Sequence, residues 1–524
     1  MRVLGTLPSL RSSRNPFVAF GLFALVIYAA YKTAEAILAN DINSLAFAAI
    51  LIVGAAVVVA ILNDWRRGLY ILVGWILFED FVRKYLGNNM AIYFAKDVLA
   101  IILYISFFRP GLAKRPEKFR IPFRVALLIF FWFALLQMFN PASTSMFYGI
   151  LGIKINFLYV PLIFVGYALM ESEEELRRFF SYTCVLILIV VGLGLVQSII
   201  GPTFLNPTQL QADIRELSSL YRVAPLSGAV AYRPTSVFVS AGRFQDFLIV
   251  AWLISLGYGG YLLLSGRRRG RALAFTTVGM VAVASLMSAS RGVFMWNAGI
   301  VLIVSAGFLW GAPWRQREVQ RAVQAIQRTA FVIGLGIIIL LTMFPEKFGS
   351  RLAIYSETLL PSSTASELVQ RTQTYPLLQL EYAFDYPRWP YGYGVGTCAL
   401  GGQYVTRILH AAPMHVAVES GYGNLVVELG VVGLVLWIVL GFSIVRSAWK
   451  VVTELRSTPW FPLSFAICLY AIVLMFPMMY TGASPYQDFV LNAYLWLLLG
   501  ILYRLRLFPK AMRTAQAQAV PGRG

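Results

Sequence analysis

The stretch "ESGYGNLVVELGVVGLVLWIVLGFSIV", residues 419–445, decides how the chain is read. It opens on a carboxylate, Glu419, passes two glycines and a tyrosine, and enters a long apolar run. As a helix, a run of this kind spans the ~30 Å of a membrane's hydrocarbon core. A second carboxylate, Glu428, lies inside it, where an ionised side chain is costly. A membrane-type segment that begins and continues with glutamates asks for a chemical reason.

The rest of the chain agrees with the membrane reading. Of its 524 residues, 59% are hydrophobic and only 13% are charged, against roughly a quarter charged in soluble domains. The mean hydropathy is +0.70. Comparable apolar runs recur from end to end, so the expected class is an all-α polytopic membrane protein. A transmembrane β-barrel would instead show alternating segments of about ten residues. Fourteen spans are expected, near 16–38, 44–63, 68–87, 91–108, 121–139, 147–170, 178–200, 243–265, 272–290, 292–311, 329–345, 422–446, 461–482 and 487–507. This divides the chain into N-terminal helices (1–200), central helices (201–345) with an outer loop at 201–242, a large periplasmic loop (346–421), and C-terminal helices with a tail (422–524).

The net charge of +20 is accounted for by loops rather than by nucleic acid. Basic runs such as "RPGLAKRPEKFR" (109–120), "GRRRGR" (266–271), "WRQREVQRAVQAIQR" (314–328) and "RLRLFPKAMR" (504–513) follow every second span. Positive loops stay in the cytoplasm, so both termini are expected there. The N-terminal apolar run, with Ala34-Glu35-Ala36 behind it, is expected to remain as a span rather than be cleaved as a signal. No nucleotide-binding motif appears. Three separate cysteines and two histidines form no disulfide framework or metal-ligand spacing, so no metal or cofactor is expected.

Charges outside this alternation mark the candidate site. Lys154 lies inside the sixth span, Arg233 and Arg243 near the outer start of the eighth, Arg291 at the junction of the ninth and tenth, and Arg371 in the large loop. Arg83, Lys84 and Lys96 are expected to snorkel or to pair with Glu79, Asp80 and Asp97, and Arg243 to pair with Asp246 or face solvent. Together the outward cations suggest a pocket for a phosphorylated or otherwise anionic lipid-linked substrate. Glu419, where the chain re-enters the membrane, is either a general base or an acidic helix start. His415, four residues earlier, would share its face on a helix. Glu428 reads as a buried, hydrogen-bonded structural residue.

"SASRG" (288–292), the long outer loop with its arginine-led helix, "YGYGVGT" (391–397) and "ELGVVGL" (428–434) resemble the O-antigen ligase and polysaccharide polymerase superfamily. The resemblance covers residues 225–445; "RKYLG" (83–87) and "FAKD" (94–97) add a weaker similarity to exopolysaccharide-associated members. It implies a multi-span fold of the glycosyltransferase C type and transfer of a glycan from an undecaprenyl-diphosphate carrier, at the outer face of the bacterial inner membrane, without metal or nucleotide sugar. It also implies two arginines holding the diphosphate. Arg291 matches the first. Arg371 matches the second loosely, because Tyr375 stands where a leucine is expected. The family's acceptor-activating histidine falls, counting back from Gly430, on Glu419, with His415 displaced by four. The implied mechanism has Glu419 or His415 as base, and Arg291 and Arg371, helped by Arg233 or Lys154, stabilising the departing diphosphate. The implied partners are the undecaprenyl-diphosphate-linked glycan, a glycan or lipid-linked acceptor, membrane lipids, and chain-length or export proteins. Polymerase and ligase remain open, and the alternative class is a transporter or flippase of lipid-linked oligosaccharide.

Overall fold

The structure, a computed structural model, describes residues 42–86, 90–109, 119–206, 220–224, 226–266, 268–313, 316–359, 369, 373–399, 401–402, 405–406, 418–482 and 484–508. In chain order its helices are α1 (Ile42–Asn63), α2 (Trp65–Tyr85), α3 (Met90–Phe108), α4 (Arg124–Gln137), α5 (Met146–Phe157), α6 (Leu162–Leu169) and α7 (Glu173–Ile200). A small antiparallel hairpin follows, β1 (Tyr221–Val223) and β2 (Val230–Tyr232), with Arg222 opposite Ala231. Then come α8 (Ala241–Leu264), α9 (Arg271–Met287), α10 (Arg291–Gly311), α11 (Gln316–Met343), α12 (Pro345–Leu359) and α13 (Tyr375–Tyr382). The chain continues through α14 (Gly421–Glu454), α15 (Phe461–Val473), a π-helical turn at Leu474–Met478, α16 (Met479–Thr481) and α17 (Phe489–Leu505). The expected all-α character therefore holds, with almost no sheet among the described residues.

Many helix starts are written in the sequence. Ser145, Ser172, Ser240, Ser290, Ser420 and Asp488 each accept a hydrogen bond from an amide in the first turn of α5, α7, α8, α10, α14 and α17. Each such cap contributes about 1 kcal/mol.

The chain divides into two compact units, Met1–Trp75 with Phe94–Lys114, and Ile76–Tyr93 with Arg115–Gly524. In the first, the Ser106 hydroxyl donates to the Ile61 carbonyl at 2.8 Å, joining α1 to α3. In the second, close helix packing uses small residues, as expected where lipid removes the usual hydrophobic drive. A Cβ on Gly166 of α6 would lie 2.2 Å from the Leu497 carbonyl oxygen of α17, and one on Gly500 would lie 2.1 Å from the Ile163 oxygen. These two backbones meet where any larger residue would push them apart.

Six described helices are long and apolar enough to cross a membrane: Met146–Leu169, Glu173–Ile200, Ala241–Leu264, Arg291–Gly311, Gly421–Glu454 and Phe461–Thr481. A seventh forms if Ile333–Met343 and Pro345–Glu357, bent by 117°, count as one. The expected first span lies outside the described residues. Each later expected segment contains a helix, but the criterion of length and composition admits fewer than fourteen. α4, α9 and α17 fall short in length, and α2 carries Glu79, Asp80, Arg83 and Lys84 within its last two turns. Residues 345–359, at the start of the expected large loop, form α12.

Candidate functional site

Glu419 sits just outside α14. Residues 418–420 are not helical, and the cap of α14 is Ser420, whose hydroxyl oxygen accepts from the Gly423 amide at 3.3 Å. The acidic residue is therefore exposed and does not open the helix itself. The Tyr375 hydroxyl donates to its Oε2 at 2.5 Å, and the Glu419 amide donates to Gln379 Oε1 at 2.8 Å. Tyr375 and Gln379 stand four residues apart on α13, so one helix face grips both the side chain and the backbone of Glu419. Arg371 and His415 lie outside the described residues.

Glu428 is buried and accepts from the Cys398 amide at 2.9 Å. Two residues later α14 breaks at Gly430, with φ +71° and ψ −178°. Residues 391–397 fill the break. The Tyr393 amide donates to the Val427 carbonyl at 2.8 Å and the Gly394 amide to the Glu428 carbonyl at 2.9 Å. Such irregular backbone within a spanning helix is tolerated only when protein groups satisfy it. The glycines of "YGYGVG" permit the approach: a Cβ on Gly396 would lie 2.0 Å from the Tyr148 carbonyl oxygen of α5. Glu428 and this loop are thus a structural wedge.

Arg291 begins α10. The preceding turn is closed by its serines: the Ser290 amide donates to the Ser288 hydroxyl at 3.2 Å, and Ser288 donates to the Ser285 carbonyl at 2.8 Å. Asn297 donates to the Ser285 hydroxyl at 2.7 Å. Ala289, buried with φ +51°, packs with Ala224, Ala231 and Ile354, which brings the turn, the β-hairpin and α12 into one cluster. A cation in the first turn of a helix opposes the macrodipole, and both favour an anion nearby. The hairpin supplies Arg222 and Arg233. Arg233 donates to Gln245 Oε1 at 3.0 Å. Burial, and then the neighbouring Arg222 guanidinium, pull Arg233 down to about 10, which leaves it charged at neutral pH. Arg351 of α12 is buried and donates to the carbonyls of Met287 (2.8 Å), Ser198 (3.2 Å) and Tyr232 (3.1 Å). It therefore ties the C-terminal ends of α7 and α9 to the hairpin.

Lys154 has a different setting. Its Nζ lies 4.4 Å from the centre of the Tyr93 ring, and Arg83 lies over the same ring at 5.5 Å. Arg83 is buried and bonds Asp80 at 2.8 Å; Asp80 also bonds Arg243, and Arg243 Nε donates to Asp488 at 2.6 Å. Lys84, also buried, donates to the Thr235 hydroxyl and the Ser236 carbonyl, each at 2.9 Å. Arg243 therefore pairs with Asp80 and Asp488 in place of the expected Asp246, Arg83 makes the expected pair with Asp80, and Arg83, Lys84 and Lys96 are buried in the protein rather than reaching lipid headgroups. The structure thus brings Arg291 and Arg233 into one neighbourhood, sets Lys154 in a second with Arg83, and holds Glu419 in a third with Tyr375 and Gln379. Among the described residues Glu419 forms no hydrogen bond or ion pair with the candidate cations.

Compared with known proteins, the chain matches no family model and no curated protein. Sequence reasoning missed Arg351 and the Asp80–Arg243–Asp488 chain. In the sequence Tyr375 stood out only as the residue where a leucine is expected, and nothing marked it as a partner of Glu419.

Proposed function

We propose that this protein is a membrane glycosyltransferase that moves a glycan from an undecaprenyl-diphosphate carrier to a glycan acceptor, without metal. The observation that supports this best is the exposed Glu419 carboxylate, fixed by the Tyr375 hydroxyl at 2.5 Å and by Gln379. A base must be positioned before it can act, and two contacts from one helix position this one. The mechanism requires the bound donor and acceptor to bridge the neighbourhoods of Glu419 and Arg291: Glu419 takes the proton from the acceptor hydroxyl; that oxygen attacks the anomeric carbon; Arg291, Arg233 and, from the large loop, Arg371 stabilise the departing diphosphate. Single displacement inverts the anomeric centre. His415 is the alternative base, and Lys154 an auxiliary cation.

In the same reading the chain has fourteen spans, both termini in the cytoplasm, and its large loop at the periplasmic face of a bacterial inner membrane. Polymerase and ligase differ only in the acceptor. The transporter alternative calls for key charges near the membrane midplane. The enzyme instead needs Glu419, Arg291 and Arg371 around one outward-facing cavity.

The test is transfer from a purified lipid-linked donor, with analysis of lipid-linked material in a deletion strain. Accumulation of undecaprenyl-diphosphate glycan and loss of transfer support the proposal. Wild-type transfer by Glu419→Gln and His415→Ala together would exclude both from the chemistry.

A further inference from the structure

The turn of the β-hairpin already holds an anion, and that anion belongs to the chain. Glu357, near the end of α12, reaches back 131 residues in sequence to the Leu226 amide, which donates to its Oε2 at 2.7 Å. The next amide, of Ser227, donates to Oε1 at 3.2 Å and to Oε2 at 3.3 Å. The Ser227 hydroxyl oxygen accepts from the Ala229 amide at 3.3 Å. The contacts with Ser227 and Leu226 hold the carboxyl below its usual range, and the charge of Arg291 helps. The turn is closed around this pair, with the Ala224 amide donating to Ala229 at 2.8 Å and the Gly228 amide to Ala224 at 3.2 Å.

Two successive backbone amides converging on one group, within the field of the Arg291 charge, form an anion receptor of the nest type. The packing of Ala289 against Ala224, Ala231 and Ile354 keeps Arg291, the turn and α12 together. The carboxylate is exposed, so a ligand from solvent or from the membrane surface can reach it. A carboxylate offers two acceptor oxygens and one charge. A phosphate group offers more of both, and Arg binds it by the same fork.

We propose that the Leu226–Ser227 amide pair with Arg291 is a phosphate-receiving site, and that Glu357 occupies it in the resting state and leaves when a phosphate-bearing ligand enters. Assigning a diphosphate as the ligand rests on the glycosyl-transfer reading; the receptor itself rests on the hydrogen bonds. α12 then acts as an internal stop whose release accompanies substrate binding. A site that is self-occupied about nine-tenths of the time binds its ligand about tenfold more weakly than the open site.

The experiment uses full-length protein in detergent, titrated calorimetrically with inorganic pyrophosphate and, separately, with undecaprenyl diphosphate in micelles. Glu357→Gln keeps the shape and removes the charge, and is expected to tighten binding about tenfold. The gain should vanish in Glu357→Gln combined with Arg291→Ala. A gain with both probes, or with pyrophosphate alone, supports a general phosphate receptor. A gain with the lipid alone supports a receptor for a lipid-borne headgroup. Unchanged affinity for both probes in folded Glu357→Gln overturns the proposal and leaves Glu357 a latch for the hairpin. Should Glu357→Gln fail to fold, Glu357→Asp keeps the charge but shortens the reach to the amides, and the same gain is required of it. Failure of the transfer reading shows separately, as Arg291→Ala retaining glycan transfer whatever pyrophosphate does.

Discussion

Replacing Gly430 with alanine tests the wedge that bends α14. The backbone there has φ +71° and ψ −178°, a region that is essentially glycine's alone, and holding another residue in it costs about 1–3 kcal/mol. The new methyl would also stand 2.4 Å from the Pro390 carbonyl oxygen and 2.8 Å from its carbon, both backbone atoms. Overpacking of this kind adds about 1–3 kcal/mol. The combined expectation is a loss of about 2–6 kcal/mol, relieved only if residues 390–394 withdraw and leave the Val427 and Glu428 carbonyls without their donors. Gly299→Ala is the matched control: it lies within α10, nothing stands within 4 Å of the added carbon, and better helix propensity should stabilise it by about 0.5–1 kcal/mol. Thermal unfolding of both variants in detergent reads the difference. A Gly430→Ala protein that melts with the wild type would refute the reasoning, because neither the strain nor the collision could then be real.

Glu419→Gln should lower glycan transfer by about 10²–10⁴-fold, and Tyr375→Phe, which keeps the charge and loses the 2.5 Å hydrogen bond, should lower it less; the purified assay ranks them, and the reverse order would make Tyr375 the more important group. Arg291→Ala should abolish transfer at normal protein level, with Arg291→Lys a poor rescue because a point charge lacks the bidentate fork; full activity of Arg291→Ala removes it from the reaction. Asp488→Asn takes one buried partner from Arg243 and should destabilise by about 3–5 kcal/mol, whereas Asp246→Asn should cost much less; equal losses in thermal unfolding would contradict the pairing. Reporter fusions after residue 360 should read periplasmic and those after residue 510 cytoplasmic, and opposite readings would overturn the proposed topology.

What could be read in the sequence was what depends on neighbours along the chain. Apolar runs gave helices, the serines of "SASRG" closed a turn, and the glycines of "YGYGVG" made one. The buried, hydrogen-bonded state of Glu428 followed from the cost of a charge among apolar residues. Pairings across the fold were not legible. Asp80 and Asp488 stand 163 and 245 residues from Arg243, while Asp246 stands three away and so drew the expectation. Glu357 and Arg351 lay in what read as loop, because α12 is amphipathic and short of a span's hydrophobicity. The bend in α14 was hidden for a related reason. A glycine in an apolar run is compatible with a straight helix, and only the loop that meets Gly430 makes the break stable. For Glu419 the position was legible, but its grip by Tyr375 was not.

The wedge also fixes an order of assembly. Residues 391–397 leave the ribosome before any part of α14, and α5, against which Gly396 packs, leaves earlier still. When Val427 and Glu428 emerge, the amides of Tyr393 and Gly394 are already made and can meet their carbonyls as the segment enters the bilayer. The bent helix is thus received by a seat synthesised in advance. Moving 391–397 to the far side of α14 by circular permutation would leave those carbonyls bare in lipid for the whole interval of synthesis.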